Sequence, residues 1–355
     1  MYEKYEILFL GASYGSLFAA KAALAGHSAH LICLPEEAEL INSDGAIIRL
    51  PVRGLDEPVE LNTKTMSGTV SAGAPEDAGP EDYDLIVLAM QEPQYGVPVV
   101  KELLKKVAAA KKPCMSIMNM PPLAYLKRIS SIDADSIRDA YTDPAVWDDI
   151  DPALITLCSP DPQAFRPPDE NCNVLQVGLP TNFKAARFES DEHTAILRQI
   201  ERDIQDIRYD VDGNEVELPV KLRVHDSVFV PLAKWAMLMT GNYRCVQEDE
   251  MIPIRQAVHS DVDVSEGIYN WTADLCVALG GDRGDLVPFE KYANAALSLQ
   301  KPSSAARALL AGAPYIERVD KLVQTLAASQ GMQSEHIDRT VSVVDSWLAK
   351  NRESS

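Results

Sequence analysis

The stretch Tyr5-Glu-Ile-Leu-Phe-Leu-Gly11-Ala-Ser-Tyr-Gly15-Ser-Leu-Phe-Ala-Ala-Lys-Ala-Ala-Leu-Ala-Gly26-His-Ser-Ala-His-Leu-Ile-Cys33 decides the fold. Tyr5–Leu10 is a short apolar run that stops at Gly11. Ser16–Ala25 favours helix, with Leu17, Ala20, Lys21 and Leu24 at helical spacing, and Gly26 closes it. Ser28–Cys33 is a second apolar run. A strand, a turn, a helix and a strand within about 30 residues open a parallel α/β sheet. The turn itself reads Gly11-Ala-Ser13-Tyr14-Gly15-Ser16. Glycine there permits a tight bend and close approach of a phosphate, and the helix N-terminus that follows attracts the negative charge. The usual spacing is G-x-G-x-x-G. Here it is G-x-x-x-G, with Ser13 where a second glycine would lie. The context predicts dinucleotide contacts at Gly11, Ser13, Tyr14, Gly15 and Ser16. The alternative is a plain strand-to-helix turn without a ligand.

Outward from this unit, Asp84–Met90 is a continuous apolar run, as in a strand buried on both faces. Val100–Ala109 reads as a helix and Cys114–Met118 as the next strand. Ala153–Cys158 and Asn173–Val177 are later strands, separated by a loop rich in Pro and Asp. Residues 64–83 are rich in Gly, Ala, Ser, Pro and acid, which predicts a surface loop. The acidic and aromatic Tyr141–Asp151 segment reads as a solvated loop, with a cover over the site or an oligomer contact as alternatives. From about Pro219 strand-like runs give way to helical patterns near 226–246, 252–258, 262–280, 288–299, 302–311, 315–328 and 334–348. Asn351–Ser355 reads as a frayed tail. The expected architecture is α/β, with a Rossmann-type dinucleotide-binding domain over 1–217 and an all-helical substrate and catalytic domain over 218–350.

Composition narrows the partners. The chain has 355 residues, with 33 Lys and Arg against 53 Asp and Glu, a formal net charge of −20. A chain this acidic lacks the attraction that drives binding to a phosphate backbone or an anionic bilayer. No apolar run reaches the roughly 18 residues of a membrane span, and the start lacks the basic region of a signal peptide. The six cysteines, at 33, 114, 158, 172, 245 and 276, form no C-x-x-C pair, and the six histidines show no metal spacing. The expectation is a cytoplasmic protein acting on a small molecule, with no metal, nucleic acid or membrane partner.

The wider stretch LFLGASYGSLFAAKAALAGHSAHLI resembles the ketopantoate reductase (2-dehydropantoate 2-reductase) family, closely so in GSLFAA and AGH. One residue is missing inside the glycine loop. The resemblance implies a Rossmann domain, a helical domain and reduction of a 2-oxo acid or related carbonyl by hydride transfer between the domains. It implies NAD or NADP as cofactor and, from the helical domain, pairing into a homodimer. In Ser116-Ile-Met-Asn119-Met-Pro-Pro, Asn119 takes the position of an Asn that touches cofactor and substrate. An Asn at the end of a parallel strand also faces the ligand crevice, or caps the next helix.

In Pro231-Leu-Ala-Lys234-Trp-Ala-Met-Leu-Met-Thr-Gly-Asn242, the resemblance makes Lys234 the general acid and Asn242 a substrate ligand. The family's intermediate Asn is Leu238 here. A lone cation in an apolar stretch needs a task or a partner, though a snorkelling lysine is the alternative. The line Pro302-Ser303-Ser304 to Ala311-Gly312-Ala-Pro314 aligns Ser304 with a substrate-binding Ser. The family's Glu, which supports the lysine, falls on Ile316, and Glu317 is one residue late. A solvated helical Glu317 is the alternative. After the Asp84–Met90 run the family's Lys becomes Met90 or Gln91, both expected beside the nicotinamide. After the second strand the family's Arg is Leu34, followed by Pro35-Glu36-Glu37. Acid there repels a 2′-phosphate, which favours NAD over NADP, unless Arg49 or Arg53 folds back. An opine-type dehydrogenase and a non-catalytic dinucleotide sensor are the alternative functions.

Overall fold

The structure, a computed structural model, describes residues 4–354. Its contacts divide the chain into two compact units. One comprises the chain up to Met90, Gln94–Tyr125 and Ala145–Asp226. The other comprises Gln91–Pro93, Leu126–Pro144 and the chain from Ser227. The division expected at 217/218 is thus corrected. The last strand of the sheet extends the first unit past it, and two short segments of the N-terminal half pack with the helices instead.

In the sheet unit the chain runs β1 (Glu6–Leu10), α1 (Ser13–Leu24), β2 (Ser28–Ile32), α2 (Pro35–Asp44), β3 (Ile47–Leu50), β4 (Val59–Asn62), β5 (Val70–Gly73) and β6 (Leu85–Leu88). It continues through α3 (Pro98–Ala110), β7 (Cys114–Ile117), α4 (Leu123–Leu126), β8 (Ile155–Ser159), β9 (Gln163–Phe165), β10 (Val174–Leu179) and β11 (Phe183–Ala186). Then α5 (Asp191–Asp206), the hairpin β12 (Tyr209–Val211) and β13 (Asn214–Val216), and β14 (Leu222–His225) complete it.

Eight strands form one sheet in the order β14-β11-β8-β7-β6-β1-β2-β5. Pairing is parallel from β5 to β8, and β11 runs antiparallel to β8. Every residue of β6, β7 and β8 is buried; β6 is an unbroken apolar run, and Ser116, Thr156 and Ser159 are the polar residues of β7 and β8. The order reverses between β1 and β6, which are paired Leu10 to Leu88. That is the switch point of a doubly wound sheet, where the crevice for a ligand opens at the strands' C-terminal ends. A second sheet, β4-β3-β10-β9, lies in the same unit.

Several local expectations fail for identifiable reasons. Residues 64–83 contain β5, whose small residues pair with β2 at the sheet edge, Ala29 with Val70 and Ile32 with Gly73. An edge strand of Val, Ser, Ala and Gly has no apolar alternation to announce it. Strands do not end at Pro219, because β14 pairs in parallel with β11. The Tyr141–Asp151 segment is no solvated loop. Tyr141, Val146, Trp147 and Ile150 are buried, and Trp147 packs on Tyr95 with ring centroids 5.1 Å apart.

The helical unit contains α6 (Lys234–Met237), which passes into a π turn over Leu238–Asn242. It continues with α7 (Ile254–His259), α8 (Val262–Ala278), α9 (Phe289–Ala296), α10 (Ser304–Leu310), α11 (Val319–Ser329) and α12 (Glu335–Glu353). The expected 226–246 helix is shorter, starting at Pro231 in a tight turn over Pro231–Ala233, continuing as α6 and ending in the π turn over Leu238–Asn242. Of the expected tail, Asn351–Glu353 are instead part of α12 and Ser355 lies outside the described residues. The Asn351 side chain is buried and donates to the carbonyls of Leu309 and Ala313 at 2.9 and 3.0 Å. Among the described residues no helix is long and apolar enough to cross a membrane.

Candidate active site

The glycine turn stands at the switch point. Ala89, just past β6, donates its N–H to the Leu10 carbonyl at 2.8 Å, which brings the ends of β1 and β6 together. Gly11 has φ +106°, and a Cβ on it would stand 2.8 Å from both the Ala89 carbonyl oxygen and Met90 Cγ. Only glycine satisfies that backbone and that neighbour. Ala12 is the N-cap of α1 and supplies no side-chain hydrogen bond. The first-turn N–H groups of a twelve-residue helix therefore carry no side-chain cap, as an anion site requires. Ser13 is exposed at that end and Tyr14 half-buried. Gly15 and Ser16 are buried, and the Ser16 hydroxyl donates to the Ala12 carbonyl. These residues fit a pyrophosphate through backbone N–H groups and the Ser13 side chain, while Ser16 serves the turn itself.

At the end of β2, Leu34 is 74% exposed and caps α2. Behind it Glu37 is buried and ion-paired with Arg166; burial raises its carboxyl despite that partner. Arg49 does not fold back toward α2. Its guanidinium is shared between Glu60 at 3.0 Å and Glu170 at 2.6 and 2.8 Å. Arg53 is exposed.

Asn119 is half-buried two residues beyond β7, at the same end of the sheet as Gly11. Met90 lies over Gly11, and its N–H donates to the buried Tyr95 hydroxyl at 3.2 Å. Gln91 is exposed and belongs to the helical unit.

In the helical unit Lys234 opens α6, half-buried beside the buried Trp235. The π turn that follows has a local cause. The Tyr292 hydroxyl donates to the Met237 carbonyl at 3.0 Å and occupies the place of a Cβ on Gly241, 2.0 Å away. Glycine admits the phenol, the phenol takes a carbonyl from the ladder, and the Tyr243 N–H bonds back five residues to Leu238. Such an inserted residue makes the eight-residue step from Lys234 to Asn242 about two whole turns. The two residues share one side of the helix more closely than regular α geometry predicts. Trp235 Nε1 and Thr240 Oγ1 are buried there with no hydrogen-bond partner. The helix segment thus keeps polar capacity in reserve.

Ser304 is exposed on the first turn of α10. Its neighbour Ser303 is the structural member of the pair. The Ser303 hydroxyl donates to the Asn242 carbonyl at 2.7 Å and accepts the Ala306 N–H.

Glu317 is buried, not a solvated helical residue. The Tyr243 hydroxyl donates to its carbonyl and accepts the Val319 N–H at 3.0 Å. The Glu92 N–H donates to Glu317 Oε1 at 3.4 Å. Glu92 itself is 1% exposed, and Thr142 reaches both of its oxygens, with N–H at 3.0 Å and hydroxyl at 2.9 Å. Burial pushes the Glu92 carboxyl up to about 7, against the Thr142 hydrogen bonds and with help from Glu317. Glu92 and Thr142 did not emerge from the sequence; a lone Glu after a buried strand was the only signal. Nearby, buried Asp320 accepts two bonds at 2.9 Å from Arg318, which also meets Asp345 at 2.7 Å.

Lys21 was on the apolar stripe of α1, and it is buried. Its ammonium donates to the Pro219 carbonyl at 3.0 Å, and burial, then Lys221, lower it to about 7. His27 accepts the Tyr5 N–H on Nδ1 at 3.1 Å and faces Asp203 at 3.2 Å. Burial pushes the thiols of Cys33, Cys114 and Cys276 up to about 12, which makes them poor nucleophiles.

No protein-family model matches the sequence, and no curated protein is significantly similar to it. Solved structures do share its fold. The 2-dehydropantoate 2-reductase of Methylococcus capsulatus superposes with a TM-score of 0.65 at 11% identity, covering 98% of this chain and 97% of that one. A PanE/ApbA family ketopantoate reductase from Ralstonia eutropha gives 0.59 at 15% identity, covering 98% and 99%. A dimeric ketopantoate reductase from Staphylococcus aureus gives 0.57 at 9%, covering 98% and 99%. This chain thus shares with those ketopantoate reductases a fold made of a Rossmann-type unit and a helical unit.

Proposed function

We propose that this protein is a nicotinamide-dependent reductase of a 2-oxo acid or related carbonyl compound. The observation that carries the reading is the uncapped α1 N-terminus behind Gly11, at the reversal of the strand order. Gly11, Ser13, Tyr14, Gly15 and Ser16 hold the pyrophosphate end of the cofactor, with Met90, Gln91 and Asn119 toward the nicotinamide. NAD is the favoured form, because Leu34 and Glu36 offer no cation to a 2′-phosphate and Arg49 is held by Glu60 and Glu170. The reduced nicotinamide, when bound, supplies hydride. Lys234 donates the proton to the carbonyl oxygen. Asn119, Asn242 and Ser304 orient the substrate, and Glu317 supports the lysine.

Fluorescence titration with NADH and NADPH tests the first half. Micromolar binding, tighter for NADH, is expected; no binding of either overturns the reading. A screen of 2-oxo acids with Lys234→Ala tests the second half. A loss of about 10²–10⁴ in kcat with nucleotide binding unchanged is expected. Full kcat in that variant removes Lys234 from the chemistry, and binding without turnover of any carbonyl leaves a dinucleotide sensor.

A further inference from the structure

We propose that Glu92 is a positioning residue, holding Glu317 through its main chain and the 126–144 segment through its side chain. The proposal rests on the reductase reading only for what Glu317 is positioned to do. Three chain segments meet at this residue. Its N–H reaches Glu317 Oε1, and its two carboxyl oxygens take the Thr142 N–H and hydroxyl. Glu317 is fixed from its other side by the Tyr243 hydroxyl on its carbonyl. Glu92 therefore links residues distant in sequence, all within the helical unit.

The charges matter as much as the contacts. Glu317 acts on Glu92, Glu92 acts on Tyr141, and Glu317, Asp320 and Arg318 all act on Tyr243. Two neighbouring buried carboxyls do not both ionise readily, and the more desolvated one keeps the proton. Burial raises the Glu92 carboxyl to about 7. A neutral Glu92 still accepts from the Thr142 N–H and donates to the Thr142 hydroxyl. A carboxylate at Glu317 is the form that can hold a protonated lysine. Above neutrality the pair takes a second negative charge, and its two titrations are shared rather than private to either residue.

Carboxyl NMR titration of the full-length protein labelled in glutamate tests this without need of activity. Wild type should show coupled steps with the upper one near pH 7. Glu92→Gln should remove the upper step. Thr142→Val, which deletes only the hydroxyl, should move the upper step up and guards against a misfolded Glu92 variant. Where turnover is found, Glu92→Ala should lower kcat at least tenfold with KM little changed, and Glu92→Gln should restore most of it while flattening the profile between pH 6 and pH 8. An upper step retained in Glu92→Gln, or full kcat in Glu92→Ala, overturns the proposal and leaves the reductase reading standing. Absence of nucleotide binding with the upper step lost in Glu92→Gln does the reverse.

Discussion

Gly11 and Gly241 are both positions where a methyl group has no room, yet the two are enforced differently. At Gly11 the obstruction is backbone, the Ala89 carbonyl on the neighbouring strand, together with a positive φ. At Gly241 it is the tip of one side chain, Tyr292, and φ is ordinary. The first constraint follows from strand order and recurs wherever a sheet of this type binds a phosphate. The second is a private arrangement between residues fifty positions apart. The glycine turn of the sheet unit is thus built from local chain geometry, and the Lys234 helix of the helical unit from long-range side-chain contacts.

That contrast can be broken experimentally, starting where the effect is largest. In the helical unit, Arg318→Met leaves Asp320 buried without its cation and should cost about 3–5 kcal/mol in urea unfolding. A loss under about 1 kcal/mol would mean that water or a shifted neighbour serves Asp320 instead. Next, Gly11→Ala should cost about 2–4 kcal/mol through strain and collision, with nucleotide affinity down at least tenfold. Trimming Met90 to Ala should not rescue it, because the Ala89 carbonyl remains. Gly241→Ala should cost about 2–3 kcal/mol. Here Tyr292→Phe should restore most of the loss, giving a large coupling in a double-mutant cycle. Equal rescue at both glycines would erase the distinction between backbone and side-chain enforcement.

Two buried titratable groups sharpen it further. Glu92 is raised to about 7, so the folded protein holds a proton that the unfolded chain releases. Its contribution to stability is full below about pH 4.5 and lost as the pH rises to about 7. Between those limits Glu92→Gln should gain about 2 kcal/mol relative to wild type. Lys21 in the sheet unit has the opposite sign. It is lowered to about 7, so the unfolded chain holds the extra proton and stability rises above that pH. Wild type should gain about 1 kcal/mol from pH 7 to pH 8, and Lys21→Met should not.

How much was legible follows the same line. The order β1, α1, β2 and the turn between them came from one stretch of sequence, because apolar runs, a helical stripe and punctuating glycines act over a few residues. The buried strands β6, β7 and β8 were legible for the same reason. Edge strand β5, made of small residues, was not, and neither was β14, whose alternation is only four residues long. Lys234 stood out because a cation in an apolar run is costly. Glu317 was found as a residue but not as a buried one. Thr142 and Tyr292 left no trace and Glu92 only that of a lone Glu after a buried strand, since nothing local demands a carboxylate, a threonine or a phenol where they stand.

The passage of the chain between the units has a consequence for modular exchange. Gln91–Pro93 and Leu126–Pro144 are embedded in the helical unit, although they leave and re-enter the sheet unit. A fragment begun at Ser227 would lack Glu92 and Thr142 and would strand Glu317 without its amide donor. A chimaera joined once near residue 226, with the first part taken from a fold relative, would bring a foreign partner to that same carboxylate. Grafting a different helical unit onto this sheet unit therefore takes five splices, at 90/91, 93/94, 125/126, 144/145 and 226/227, and recombination by a single crossover should yield poorly folded or inactive hybrids.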